Sequence, residues 1–85
     1  MSHYNNCHYW NGNLYQEWWT TSNGTIYRLD GPSVIYYDDD GNKEIEIWHN
    51  FKGEIHKEDG PAIIGYKIDG KIDYKEWWMN NNKLK

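Results

Sequence analysis

The chain has 85 residues, a formal net charge of −4 and a single cysteine, Cys7. That length suits one small domain, and an acidic balance without a basic run excludes the usual electrostatics of a phosphate-backbone binder. A lone cysteine excludes an internal disulfide and fits a reducing compartment. No apolar stretch nears the ~20 residues of a membrane-spanning helix and no charged-then-apolar leader is visible, so a soluble, cytoplasmic protein is expected.

Composition points to β structure. Aromatics make up 18% of the residues, with six Trp and eight Tyr, whereas Ala occurs once and Leu three times. Strong helix formers are therefore scarce, while Tyr, Trp and Ile suit a pleated, half-buried surface. Ten Asn and eight Gly supply turns.

Residues 1–11, with "HYNNCHYW", have no counterpart later in the chain and are expected to act as an aromatic N-terminal cap. From Gly12 onward the sequence repeats with an offset of 29: Gly12, Gly41 and Gly70 form one series, Trp19, Trp48 and Trp77 another, and Asp30-Gly31-Pro32 returns as Asp59-Gly60-Pro61. Over residues 24–41 against 53–70, nine of eighteen positions are identical. Such a period marks a repeat architecture, here unit 1 (12–40), unit 2 (41–69) and a truncated unit 3 (70–85).

Within the units the strand signals are short. Ser33–Tyr37 is an apolar run closed by a hairpin turn at Asp38-Asp39-Asp40-Gly41-Asn42. Lys43–His49 alternates, which sets Ile45 and Ile47 on one face and Glu44, Glu46 and Trp48 on the other. "NFKG" turns the chain into Glu54–Lys57, and the scheme recurs as Ala62–Tyr66, Ile72–Trp78 and a closing turn at "NNNK". About three strands per unit, joined as an elongated antiparallel meander, is the expected all-β fold.

The repeated residues have mechanical roles. Gly24 and Gly53 are expected at left-handed positions. Asp30 and Asp59 are expected to accept backbone hydrogen bonds across the turns that Gly31 and Gly60 complete. Pro32 and Pro61, lacking an N–H, start a strand or sit at its edge. Trp19, Trp48 and Trp77 are read as the recurrent filling of a packed face.

The run Trp48, Gly53, His56-Lys57, Asp59-Gly60-Pro61-Ala62 resembles a MORN-like repeat, W-x(3,4)-G-x-x-H-[RK]-x-[DE]-G-P-A. The first copy departs from it, with Tyr27 in the His place, Arg28 after it, and Ser33 in the Ala place. Such repeats occur in phage, giant-virus and antitoxin-labelled bacterial proteins. The resemblance implies β-hairpin sheets that serve as interaction scaffolds, with no shared catalytic residue, and a site of action inside a host cell.

No motif carries catalysis or metal binding. His3, Cys7 and His8, and separately His49 and His56, lack paired-ligand spacing, and Tyr27 stands where a ligand would have to be His56. No nucleophile elbow or phosphate-cradling glycine run occurs. Neither an enzyme nor a cofactor is expected.

Residues that the repeat does not dictate are the candidate surface. They are Trp10, Trp18, Trp78, Tyr36 (where the second unit has Gly65) and the acidic residues Asp38, Asp39, Asp40, Glu44 and Glu46. Trp and Tyr are enriched at interface hot spots, and an acidic rim would speed association with a basic surface. The expected function is a small protein-binding module, by resemblance a phage or viral inhibitor of a host defence or regulatory protein, whose partner has a basic, nucleic-acid-type surface. The alternative is a small-ligand, nucleotide-type binder that stacks its ligand on aromatics, with Arg28, Lys57, Tyr27 and His56 as its site. A homodimer is also expected: the last unit stops before its Asp-Gly-Pro, which leaves a sheet edge beside Trp77, Trp78 and Met79.

Overall fold

The computed structural model describes residues 3–84. Six strands form one antiparallel meander in sequence order: β1 (His3–Trp10), β2 (Asn13–Thr21), β3 (Val34–Tyr37), β4 (Lys43–Ile47), β5 (Ile63–Tyr66) and β6 (Ile72–Glu76). A separate hairpin, β7 (Trp78–Met79) with β8 (Asn82–Lys83), follows. The all-β meander read from the repeat is what the chain forms. Among the described residues no helix is long and apolar enough to cross a membrane.

One turn design recurs four times. At Thr21–Thr25, Asp38–Asn42, Asn50–Glu54 and Lys67–Lys71, the first N–H donates to the carbonyl of the fifth residue, and the fourth N–H donates back to the first carbonyl. The fourth residue is always a glycine at positive φ: Gly24, Gly41, Gly53 and Gly70, at 81–88°. A side chain would be penalised there. The N-terminal segment is itself a strand of the sheet. Asn11 and Gly12, at φ 50° and 81°, make a two-residue hairpin turn that adds β1 to the sheet along the whole of β2.

The third strand of each unit is shorter than the pattern suggests. Thr25–Arg28 and Glu54–Lys57 contribute only the bridges Thr20↔Ile26 and His49↔Ile55, each followed by one further bond, Tyr27 N–H to Trp19 O and His56 N–H to Trp48 O. The chain must then leave the ladder to reach the Asp-Gly-Pro crossing, so there are two full strands per unit. Asp30 also differs from expectation: its carboxylate meets the Arg28 Nε at 3.3 Å, because that guanidinium folds back over the turn.

Register fixes two faces. Glu17, Ile35, Glu46, Ile64 and Lys75 lie in one cross-strand row, and Trp18, Val34, Ile47, Ile63 and Glu76 lie in the next. Neighbouring rows point to opposite faces. The first face carries a polar network, and the second, with Tyr36, Ile45 and Tyr74, is mostly apolar. Little of either is covered: Val34, Ile35 and Ala62 are the buried apolar residues among those described. The Cα envelope is a plate of 32 × 31 × 17 Å.

Candidate binding surfaces

The repeat builds its own supports, and these claim part of the expected acidic rim. Glu46 is 7% exposed. It takes the Tyr66 hydroxyl proton donor on one side and the Lys43 ammonium at 3.3 Å on the other. Twenty-nine residues upstream, Tyr37 donates to Glu17 in the same way. Burial, and next the hydrogen bond to the carboxylate, push both tyrosines up to about 12. Glu46 is therefore a fold residue, and the reading that placed it on the contact surface is corrected. Strand alternation marks it as a side chain on one face but not whether a cross-strand tyrosine closes over it.

Asp38 is likewise committed to its turn. Its Oδ1 accepts the N–H groups of Asp40 and Asn42, each at 2.9 Å. Asp39, Asp40 and Glu44 remain exposed. Glu44 does not share the alternation of its strand, because the register shifts opposite Tyr36/Tyr37 and leaves it as a bulge. Tyr15 and Asp73 hold the same place in the other two hairpins.

The remaining predicted contact residues divide. At one corner of the plate Trp10, His8, Tyr15 and Asp39 line a hollow of about 400 Å³. Tyr15 packs edge-on against His8 and against Tyr36, with ring centroids 6.0 and 6.3 Å apart. Trp10, Tyr36 and Asp39 are thus brought together. Tyr15 and His8 are not among the residues expected from the sequence, because the bulge that turns Tyr15 toward Tyr36 is set by the strand register. Trp18 lies on the same face as Tyr36, two rows along. Trp78 lies apart, half-buried in β7, with its indole N–H on Glu76 at 3.0 Å.

The four residues of the small-ligand alternative also converge. Tyr27, Arg28, His56 and Lys57 line one groove of about 780 Å³ with Trp48 and Phe51. Arg28 stacks over Trp19 with its guanidinium 3.9 Å from the ring centroid, and Lys57 lies 4.1 Å over Trp48. The tryptophan series therefore carries cations as well as filling the face. His56 Nδ1 accepts the Asn80 N–H at 3.1 Å, a bond that fixes its tautomer and seats the C-terminal hairpin. Ile55 and Lys57 complete that seat through Asn81 and the Trp78 carbonyl.

Among the described residues no group of three or more His, Cys, Asp or Glu converges in a way that could hold a metal ion. His49 pairs with the Ser33 hydroxyl through Nδ1 at 2.7 Å, and burial lowers its pKa. Comparison with protein families, characterised proteins and solved structures finds no match to this chain.

Proposed function

We propose that this chain is a non-enzymatic protein-binding module whose contact surface is the corner formed by Trp10, Tyr15, Tyr36 and Asp39, extended by Asp40. The observation that carries this reading is the meeting of exposed aromatics with the exposed carboxylate of Asp39 at that hollow. Exposed aromatic clusters of this kind mark contact sites, and acidic side chains beside them select a basic partner. The resemblance of the repeat to phage and viral scaffolds suggests a host protein inhibited inside the host cell, and the acidic residues suit a partner with a basic, nucleic-acid-type surface.

Affinity capture from the cells that naturally contain the protein tests it. Asp39→Asn/Asp40→Asn is expected to reduce recovery of the partner, most at low salt, and Trp10→Ala to reduce it at any salt, by more than about 2 kcal/mol if Trp10 is a hot spot. Equal recovery of the same partner by wild type and both variants overturns the reading.

The groove supports a second reading, a site for a flat anionic ligand of nucleotide type, because its aromatic and cationic residues converge. Native mass spectrometry of protein purified from those cells separates the two. A retained small-molecule mass that Lys57→Met abolishes favours the groove.

A further inference from the structure

The two edges of the sheet are built differently. β6 is guarded by charge: Asp73, Lys75 and Glu76 lie within it and Lys71 just before it, and Glu76 is drawn to Lys83 of the C-terminal hairpin at 3.7 Å. Charged side chains on an edge strand are a common protection against edge pairing. β1 has none of this. Its eight residues, HYNNCHYW, include no Lys, Arg, Asp, Glu or Pro, and among the described residues it has a ladder partner only in β2.

Hydrogen-bond direction shows which groups of β1 are free. The Trp19 N–H donates to Ser33 and its carbonyl accepts from Tyr27, so odd-numbered residues of β2 address β3 and even-numbered ones address β1. Antiparallel partners share this orientation. Asn6 and His8, opposite Trp18 and Gln16, therefore bond to β2, whereas Asn5 and Cys7, opposite Trp19 and Glu17, turn their N–H and C=O outward. Exposed aromatics accompany this edge: Tyr4, Tyr9 and Trp10 are each more than half exposed.

We infer that β1 is a pairing edge for a second copy of this chain, joined antiparallel into one continuous sheet with Cys7 opposite its own counterpart. An uncharged strand opposed to itself meets no repulsion. Self-pairing of β1 is also isologous and closes at two copies, whereas β1 against β6 would propagate without end, and the charges of β6 oppose that contact. The partner-binding corner takes the side chains of His8 and Trp10 from the end of this strand, whereas the inferred contact uses the outward backbone groups in its middle, so the inference goes beyond the proposed function and does not depend on it. It moves the expected homodimer contact from the C-terminal third, where Trp78 is engaged, to the N-terminal edge. Cys7, exposed and unpaired, sits at the centre of the contact and serves as a reporter.

Sedimentation of the full chain at micromolar concentration, with reductant present, provides the test. Wild type is expected as a dimer. Cys7→Lys places charge on the outward edge, and Cys7→Pro removes an outward N–H that β2 does not use. Both are expected to be monomers, with the circular dichroism of the wild type confirming that Cys7→Lys is folded. Without reductant, wild type is expected to form a disulfide-linked dimer under mild oxidation. A monomeric wild type, or a Cys7→Lys variant as dimeric as wild type, overturns the inference, whatever Cys7→Pro does.

Discussion

Tyr66 donates a hydrogen bond from its hydroxyl to the carboxylate of Glu46, a residue on the preceding strand and 7% exposed. The repeat makes the same bond upstream, from Tyr37 to Glu17, so each unit ties its own last strand residue to the preceding hairpin. Both tyrosines are held protonated up to about 12. Their folded-state pKa lies above the unfolded value near 10. The stability they contribute is therefore complete below pH 10 and lost as pH rises toward 12. Ultraviolet titration is expected to show two late-ionising tyrosines, with unfolding free energy falling across that window. Tyr66→Phe should remove one late step and cost about 1–2 kcal/mol by denaturant unfolding.

Gly65 and Tyr74 form a second relationship with a repeat counterpart. A Cβ at Gly65 would fall within the Tyr74 ring, and the two residues are direct cross-strand partners. In the preceding hairpin the large ring is on the other strand, Tyr36 opposite Ile45. Gly65→Tyr alone is expected to cost more than about 2 kcal/mol through overpacking, and Tyr74→Ile alone about 1–3 kcal/mol. The double change recreates the Tyr36–Ile45 pair and should recover most of the loss. Chemical denaturation of all four proteins measures the coupling, and strictly additive losses would contradict the exchange.

The two Asp-Gly-Pro crossings should respond differently to one substitution. A Cβ at Gly31 would lie 3.0 Å from the Arg28 guanidinium carbon, whereas at Gly60 the nearest atom, Lys57 Nζ, is 3.7 Å away. Gly31→Ala is expected to push Arg28 off Trp19 and destabilise by about 0.5–1 kcal/mol, the scale of an exposed cation–π contact. Gly60→Ala leaves Lys57 over Trp48 and should be neutral or stabilising by about 0.4–1 kcal/mol, because it restricts the unfolded chain. Thermal unfolding of the pair checks the order.

His49 titrates against the fold. Burial lowers its pKa below the ordinary 6.5, so the unfolded chain takes up this proton first. Its contribution is present above pH 6.5 and is lost as pH falls through the folded-state value. Proton NMR is expected to place the His49 midpoint below 6.5, and Ser33→Ala should destabilise by about 0.5–1.5 kcal/mol through loss of the Ser33–His49 bond.

The period carried most of the architecture, because Gly24, Gly41, Gly53 and Gly70 have no other economical explanation than left-handed turns, and those turns impose the meander. Hidden were the features that depend on what a strand is laid against. Glu46 alternates like a solvent-facing residue, and only the neighbouring strand brings Tyr66 over it. Glu44 reads as its companion, yet the bulge breaks their shared periodicity. The Asn11-Gly12 turn was legible as a hairpin signal and would have placed β1 in the sheet. Of the candidate surface, Trp10, Tyr36 and Asp39 were named from the sequence, but their convergence rests on Tyr15, whose bulge position is set by register rather than by composition.

The central claim is that the Trp10–Tyr15–Tyr36–Asp39 corner is where a macromolecular partner binds. Photo-crosslinking in the native cells tests it directly, with a benzophenone side chain placed at Tyr15 or, as a control, at the fully displayed Ile68, 79% exposed on the far turn. The account predicts a discrete adduct with a host protein from position 15 and none from position 68. No protein adduct from position 15, or the same adducts from both positions, would contradict it.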